Sequence, residues 1–183
     1  MGKVIVGATL SLDGFINDRN GSVGRLYPDL AELRTTDLMQ ESMKATGAVA
    51  IGRQTYDMAQ GDFTGYEYQV PIFVLTHEAP DKVAKGENDK LKFSFVTDGI
   101  QSVIQKAKAA AGDKDVTVVG GANFVQQLLK AGLVDQLEVG IMPVFFGEGL
   151  RFFEHLADEQ VKLEKVKVVE NGPRTDLIFR VVK

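Results

Sequence analysis

The stretch Val116-Thr117-Val118-Val119-Gly120-Gly121 joins a short apolar run directly to two glycines. Residues 122–131 then carry apolar side chains at helical spacing, and Gly132 follows as a helix stop. A uniformly apolar strand that passes straight into a helix is typical of a sheet buried between helices. The stretch therefore predicts one strand–helix unit of an α/β fold.

The same alternation continues toward the N-terminus, where Gly47 is a predicted helix stop and Asp98 a predicted helix cap. Beyond Gly132 strands dominate, and residues 170–173 form a turn signal that suggests a hairpin. The predicted strands are 3–9, 48–51, 70–75, 93–96, 116–119, 137–145, 161–169 and 176–182, and the predicted helices are 36–46, 54–60, 100–111 and 122–131. Residues 78–92 are polar and predict a surface loop.

This order predicts an α/β fold with about eight strands in a mainly parallel central sheet, flanking helices and an antiparallel C-terminal edge. No internal repeat, low-complexity tract or linker interrupts residues 1–183. A chain of this length corresponds to about one domain, so a single domain is expected.

Composition excludes several classes of function. The chain of 183 residues has a net charge of −4 and no basic stripe, so nucleic acid is not an expected partner. It has no cysteine, and its two histidines lie far apart in sequence, so neither a disulfide nor a metal site is predicted. No apolar stretch approaches the ~20 residues of a membrane span, and the N-terminus is typical of a strand rather than a signal peptide. The cytoplasm is the expected compartment.

Ligands of open parallel sheets bind at the carboxyl ends of the strands. Gly120 and Gly121 would let backbone approach a ligand and present helix N–H groups to a phosphate, or would simply make a tight turn. Arg53 stands at the positive end of a predicted helix, which a bound phosphate would make favourable. Alternatively, Arg53 points into water. His77 alone is typical of a surface residue.

At these positions the chain resembles the dihydrofolate reductase-like superfamily. The resemblance is closest to the C-terminal reductase domain of bacterial bifunctional riboflavin-biosynthesis deaminase-reductases and its stand-alone relatives. It spans nearly the whole chain. The motifs that carry it are Ser11-Leu12-Asp13-Gly14-Phe15, Gly52-Arg53-Gln54-Thr55-Tyr56, Val119-Gly120-Gly121-Ala122, Asp135-Gln136-Leu137 and the segment 143–149.

The resemblance implies a bound NADPH. The nicotinamide would lie under the loop after the first strand, the pyrophosphate on the two helix starts, and the adenosine 2′-phosphate against Arg53, with Thr76 and His77 as further contacts. The Gly120–Gly121 peptide bond is expected to be cis. The residues predicted to contact the cofactor are Ala8, Leu12, Gly14, Phe15, Gly52, Arg53, Gln54, Thr55, Leu75, Thr76, His77, Val119, Gly120, Gly121, Ala122, Asn123 and Phe124.

Asp29 is the predicted catalytic residue, as a substrate anchor and proton relay. Its context resembles the Pro-x-Asp/Glu-Leu motif of reductases acting on dihydrofolate, although the alternative is that it caps an exposed helix. Asp13 is expected to form a turn. The chain lacks tryptophan, and Gly140 stands where those reductases have a threonine, which weakens a dihydrofolate assignment. Arg25, Arg34 and Arg151 are available for a substrate phosphate.

The sequence thus predicts an NADPH-dependent oxidoreductase for a small heterocycle. The candidate substrates are a pyrimidine similar to 5-amino-6-(5-phosphoribosylamino)uracil and a dihydropterin or dihydrofolate. The alternatives are a non-catalytic nucleotide-binding protein on the same fold and a pocket for another nucleotide such as a flavin. A homodimer is possible, with residues 139–146 and 150–153 either in its interface or in the chain's own core.

Overall fold

A computed structural model describes residues 2–81, 84–156 and 161–183. The strands are β1 (Val4–Ser11), β2 (Phe15–Asp18), β3 (Thr46–Gly52), β4 (Ile72–Leu75), β5 (Phe93–Val96), β6 (Asp115–Val119), β7 (Gln136–Met142), β8 (Gly149–Arg151), β9 (Lys162–Asn171) and β10 (Arg174–Val182). The helices are α1 (Leu30–Leu33), α2 (Asp37–Ala45), α3 (Arg53–Met58), α4 (Ile100–Ala111) and α5 (Ala122–Lys130).

Eight strands form one sheet in the order β5-β4-β3-β6-β1-β7-β10-β9. The pairs from β5 to β7 are all parallel, whereas β10 runs antiparallel to both β7 and β9. The predicted mainly parallel sheet with an antiparallel C-terminal edge is therefore confirmed. This strand order agrees with the fold that the motif resemblance implies.

The two faces of the sheet are packed differently. Val4, Val6, Val116 and Val118 point toward α4 and α5 and belong to a large, fully buried core. The opposite face carries a smaller core around Val49 and Ile51, against which Met39 and Met43 of α2 pack. Neither α1 nor α2 buries a residue completely. They therefore cover the sheet loosely and leave a space between themselves and the sheet.

Two predicted helix ends, at Gly47 and Asp98, differ from the structure. Gly47 does not stop a helix, because α2 ends at Ala45 and β3 begins at once with Thr46. Asp98 does not cap α4, whose N-cap is Gly99 with no side-chain bond. The Asp98 carboxylate instead accepts hydrogen bonds from the Lys106 ammonium, at 3.1 and 3.2 Å. The Asp98 side chain is therefore paired with a lysine two turns along the helix and not with the backbone at the helix start.

The loop after β1 contains regular structure that the sequence did not reveal. β2 pairs antiparallel with the short strand β8, which comes from the far end of the chain. Neither strand alternates cleanly, and their pairing is irregular between Phe15 and Asn17. A two-stranded ribbon of this length depends on its tertiary contacts, so local sequence gives little signal for it.

The two segments considered for a dimer interface divide between core and surface. Val139, Met142 and Phe152 are buried in the chain's own core, whereas Phe145 is 66% and Phe153 is 41% exposed. Self-association stays a prediction. Among the described residues, no helix combines the length and apolarity that a bilayer crossing requires.

Candidate active site

Two strand-to-helix corners meet at the carboxyl edge of the sheet. One is Gly52, between β3 and α3, and the other is Gly121, at the start of α5. A Cβ built on Gly121 would lie 3.9 Å from Gly52 Cα and 3.6 Å from Thr55 Oγ1, so the corners face each other. On Gly120, where φ is +67°, a Cβ would approach Thr55 Oγ1 to 2.9 Å. The close approach and the backbone conformation both require glycine there.

The Gly120–Gly121 peptide bond is trans, because the described residues contain no cis peptide, and the predicted cis bond is wrong for this structure. Two consecutive positive φ angles, +67° and +78°, turn the chain instead. Only glycine adopts such angles readily, so the pair reverses direction while keeping the ordinary peptide geometry.

A cleft of about 450 Å³ opens between these corners. It brings together predicted cofactor contacts from three separate strand ends. Its lining includes Gly52, Arg53, Gln54, Leu75, Thr76, His77, Gly121, Asn123 and Phe124. No side chain caps α5, and at its start Val125 N donates to Gly121 O, at 3.0 Å. The N–H groups of residues 122–124 therefore remain available to a ligand.

Arg53 is held rather than pointing freely into water. Its Nε donates to both carboxylate oxygens of Asp57, at 2.8 and 3.0 Å. Its Nη1 donates to Thr76 Oγ1 at 3.2 Å and to the Glu78 carbonyl at 2.9 Å. These contacts fix the guanidinium against the β4 end, on the wall of the cleft. His77 is exposed beside them.

The loop after β1 is organised by Asp13. Its carboxylate accepts hydrogen bonds from Ser11 Oγ (2.6 Å), Gly147 N (2.7 Å) and Phe146 N (3.2 Å). Because these donors stabilise the anion, with the Ser11 hydroxyl as the largest contribution, the pKa of Asp13 falls to about 2. The expected role in a turn therefore extends to joining two distant loops.

Leu12, Gly14 and Phe15 belong to this loop. Within the described ranges, the linings of the cleft and of the cavity below include none of the three. Phe15 is buried, and the Arg151 guanidinium lies 4.4 Å from its ring centroid. A contact between these residues and a nicotinamide stays a prediction.

A second cavity, of about 170 Å³, lies between the sheet and the loosely packed α1 and α2. Tyr27, Leu33, Met39 and Tyr68 line its walls. Its floor is the row Thr9–Gly140–Asp176, which the strand register places side by side across β1, β7 and β10. Two residues earlier on β1, Gly7 also lines the cavity, and a Cβ there would meet nothing within 4 Å.

Arg174 is the largest fully buried side chain of the described residues and lies in this floor. Its Nη2 donates to Asp29 Oδ1 at 3.0 Å and to the Leu26 carbonyl at 3.1 Å, and its Nη1 donates to Thr9 Oγ1. Asp29 is the N-cap residue of α1, but its side chain makes no capping bond. The structure thus commits Asp29 to an ion pair, and its catalytic role stays a prediction.

Three carboxyl groups line the cavity, and they belong to Glu67, which pairs with Arg34, and to Glu138 and Asp176. Burial raises the pKa of Asp176, and the negative charge of Asp29 adds to this, although Asn171 and Arg174 act in the opposite direction. Burial likewise raises the pKa of Glu138, against the hydrogen bond from Gln136. The cavity floor therefore holds carboxyl groups that keep a proton more readily than ordinary ones.

Sequence reasoning missed Arg174, Asp176 and Glu138. A signal was present, since Arg174 and Asp176 stand two residues apart in a strand and so share one face with the apolar Ile178. A charged pair on the buried face of a strand indicates either a structural ion pair or a site. The contact between Arg174 and Asp29, however, joins residues 145 positions apart in the sequence, so no local pattern predicts it.

Arg25, Arg34 and Arg151 all have partners within the protein. Arg25 donates to the Phe145 carbonyl at 3.0 Å, Arg34 pairs with Glu67 at 3.3 Å, and Arg151 donates to the Asp13 carbonyl at 3.1 Å. Of the three, Arg34 lines the cavity.

Comparison with solved structures places this architecture among known reductase folds. A protein of Shewanella sp. PV-4 assigned to riboflavin biosynthesis superposes with a TM-score of 0.79 at 23% identity and covers 99% of each chain. A deaminase/5-amino-6-(5-phosphoribosylamino)uracil reductase of Thermotoga maritima gives 0.75 at 17% identity, covering 99% of this chain and 57% of that one. Dihydrofolate reductase of Enterococcus faecalis, complexed with NADP(H), gives 0.64 at 20% identity over 100% and 98% of the two chains.

Sequence comparison gives the family. The uncharacterised protein YyaP of Bacillus subtilis is 26% identical over 157 residues, which are 82% of this chain and 80% of YyaP. The sequence model of the RibD C-terminal domain matches residues 2–177. That match spans nearly the whole chain and includes both the cleft and the cavity. The chain therefore belongs to the RibD C-terminal domain family.

Proposed function

We propose that this protein is an NADPH-dependent oxidoreductase that reduces a small heterocycle by hydride transfer. Its family and the reductases among its structural relatives support a pyrimidine reductase-like oxidoreductase. The candidate substrates are an aminopyrimidine similar to 5-amino-6-(5-phosphoribosylamino)uracil and a dihydropterin.

The observation that carries the proposal is the junction of the cleft with the cavity at the end of β6. Val119 lines the cavity and Gly121 lines the cleft, with only Gly120 between them. Molecules bound in the two spaces would therefore approach each other at this strand end. Hydride transfer requires such an approach, because the reacting atoms must come within about 3–3.5 Å.

The residues of the cleft fit a dinucleotide. The free N–H groups at the start of α5 suit a pyrophosphate, and the fixed Arg53 guanidinium with Thr76 suits the 2′-phosphate that distinguishes NADPH from NADH. A volume of about 450 Å³ also falls in the usual range of small-molecule sites. NADPH, when bound, supplies the hydride; the chain orients the reactants and manages the proton.

The cavity suits one flat ring. Tyr27, Tyr68 and Met39 provide apolar walls, whereas Arg174 and Asp176 provide polar groups on the floor. A ring nitrogen and a ring carbonyl would find a carboxyl group and a cation there. The volume of about 170 Å³ accommodates a heterocycle but leaves a larger substituent outside.

The rim favours a substrate without phosphate. A depression of about 680 Å³ shares Leu33 and Thr36 with the cavity, and its charged lining is Asp29, Glu32 and Glu170. Carboxylates would repel a phosphate tail. Arg25 and Arg151 have partners outside the cavity, and Arg34, which lines it, is paired with Glu67. We therefore expect the dephosphorylated aminopyrimidine to have a higher kcat/KM than its phosphorylated form.

The test begins with cofactor binding. NADPH is titrated into the protein and nicotinamide fluorescence is followed, and saturable binding is expected. No binding at high micromolar NADPH would reject the proposal. Consumption of NADPH is then measured with the phosphorylated aminopyrimidine, its dephosphorylated form and a dihydropterin. Equal or faster reduction of the phosphorylated form would contradict the proposed preference.

A non-catalytic nucleotide-binding protein is the alternative. It predicts saturable NADPH binding without consumption of NADPH by any of the three compounds. A flavin pocket is the other alternative, and the absorbance spectrum of the purified protein distinguishes it, since flavin absorbs visible light and NADPH does not.

A further inference from the structure

The floor of the cavity holds three charged or titratable side chains, Arg174 and Asp176 on β10 and Glu138 on β7. Asp29, at the start of α1, lies beside the floor and is paired with Arg174. The motif resemblance points to Asp29 alone. The contacts of Asp29 and Asp176 indicate different roles for the two carboxyl groups.

Asp29 is engaged by a cation. Arg174 Nη2 lies 3.0 Å from Asp29 Oδ1, and the side chains are 1% and 17% exposed. The same guanidinium is bound by Leu26 and Thr9, so it is fixed on both sides. Removing either partner would leave the other charge buried without its counter-ion, so the pair fixes Arg174 in place.

Asp176 is placed differently. Its Oδ2 accepts a hydrogen bond from Asn171 Nδ2 at 2.6 Å. Its Oδ1 leans over Gly140, since a Cβ built on Gly140 would lie only 2.8 Å from it. The Asp176 residue is 7% exposed and lines the cavity. The absence of a side chain at Gly140 therefore leaves the Asp176 carboxyl group as the polar surface of the floor at this position.

The register places Asp176 nearer than Glu138 to the strand end where the cleft begins. Asp176 is opposite Gly140, which is opposite Thr9, whereas Glu138 is opposite Gly7, two residues earlier on β1. Glu138 also receives the Gln136 amide at 2.8 Å. The two carboxyl groups share a face, and desolvation raises the pKa of both, although Asp176 is buried and Glu138 half-buried; Glu138 is therefore a control for Asp176.

We propose that Asp176 is the acid of the reduction, and that Asp29 is a positioning residue that holds Arg174 in the floor. This inference rests on the proposed function. The reaction reduces a C=N bond of the substrate. The carbon of this bond accepts the hydride from NADPH, which becomes NADP⁺, and the nitrogen accepts the proton of the Asp176 carboxyl group. Asp176 is left as a carboxylate and regains a proton from water.

The charges around Asp176 set the direction of its pH dependence. Burial and the Asp29 carboxylate raise its pKa, Arg174 and the Asn171 amide lower it, and Glu138 is the further carboxyl group on the facing strand. Because the acid must be protonated, activity is present below the pKa of Asp176 and falls as pH rises through it. Removal of the Asn171 hydrogen bond takes away a contact that lowers this pKa.

The experiment compares the wild type with Asp176→Asn, Glu138→Gln and Asn171→Ala. Asp176→Asn is expected to lower kcat about 100-fold or more, leave the Kd of NADPH unchanged and remove the fall at high pH. Glu138→Gln, which keeps the acid and removes a neighbouring negative charge, is expected to retain the fall at high pH and not to move it to higher pH. Asn171→Ala, which keeps the acid, is expected to move the fall in activity to higher pH. This variant tests the proposal even if Asp176→Asn does not fold.

A second readout needs no turnover. The ¹³C resonance of the Asp176 carboxyl carbon, identified by its loss in Asp176→Asn, or by its shift in Asn171→Ala, is expected to titrate above the ordinary range of aspartate. A normal titration, or a pH profile that Asp176→Asn and Asn171→Ala leave unchanged, would overturn the assignment of the acid. If the wild type consumes no NADPH with any candidate substrate, the proposed function fails instead, and the acid role with it.

Discussion

Gly140 shows how one missing side chain shapes the cavity. A Cβ at this position would lie 2.8 Å from Asp176 Oδ1 and 3.0 Å from Arg174 Nη1. A threonine here, as in reductases acting on dihydrofolate, would force the ends of these two buried β10 side chains to shift. Glycine in place of threonine therefore leaves room for the Asp176 and Arg174 side chains on the cavity floor.

Gly140→Ala is predicted to destabilise the protein by about 1–3 kcal/mol, because the new methyl group overpacks a buried site. The matched control is Gly7→Ala, also in a strand that lines the cavity, where the methyl group meets nothing within 4 Å. Urea unfolding measures both. Equal stability of the two variants would contradict the described packing of Asp176 and Arg174.

Arg53 is predicted to bind the 2′-phosphate of NADPH and so to distinguish NADPH from NADH. Arg53→Ala should weaken NADPH binding about tenfold and change NADH binding about twofold at most, because a charge-assisted hydrogen bond contributes about 1.5–3 kcal/mol. Fluorescence titration of both cofactors measures this. Asp57→Asn keeps Arg53 but removes the carboxylate that it contacts at 2.8 Å, so NADPH binding should be retained or strengthened. Equal losses for both cofactors in Arg53→Ala would exclude its role.

At the scale of elements, Asp13 connects two loops that are far apart in sequence. It accepts hydrogen bonds from the backbone N–H groups of Phe146 and Gly147, which precede β8, while β8 pairs with β2 just after Asp13. The ribbon and the carboxylate therefore reinforce each other, and the loop after β1 is held over the sheet edge.

This connection has a predictable pH dependence. The pKa of Asp13 is lowered from 3.8 to about 2, so the carboxylate stabilises the folded loop fully above the unfolded value and loses that contribution as pH falls through about 2. The protection factors of the Phe146 and Gly147 amides, which compare their hydrogen exchange with that of an unfolded chain at the same pH, should stay high at pH 5 and fall toward pH 2. In Asp13→Asn the exchange should be faster at pH 5 already. Unchanged exchange in that variant would show that the ribbon alone holds the loops.

At the scale of the molecule, local patterns predicted the elements that carry their own signal. The apolar run before Gly120 and the helix after it have nearly the predicted bounds, as does the hairpin with its turn at Gly172. The corners at Gly52 and Gly121 were expected together because parallel strands end at one sheet edge, and the structure brings them together. For these features the determining interactions lie close in sequence or follow from topology.

What could not be predicted depends on long-range packing. The β2–β8 ribbon, the Arg174–Asp29 pair and the position of Asp176 over Gly140 each join segments more than 30 residues apart. The predictions for Gly47 and Asp98 failed for different reasons, because β3 begins already at Thr46 and because Lys106 of the adjoining helix binds the Asp98 carboxylate. The candidate cofactor residues were visible as motifs, whereas the polar cavity floor was not.

The central claim is that the corners at Arg53 and Gly121 jointly bind the phosphates of NADPH. Amide NMR shifts of ¹⁵N-labelled protein during an NADPH titration test it most directly. We expect Gln54, Ala122 and Asn123 to shift saturably with one common Kd. Shifts at only one corner, shifts confined to other parts of the chain, or none at all would contradict it.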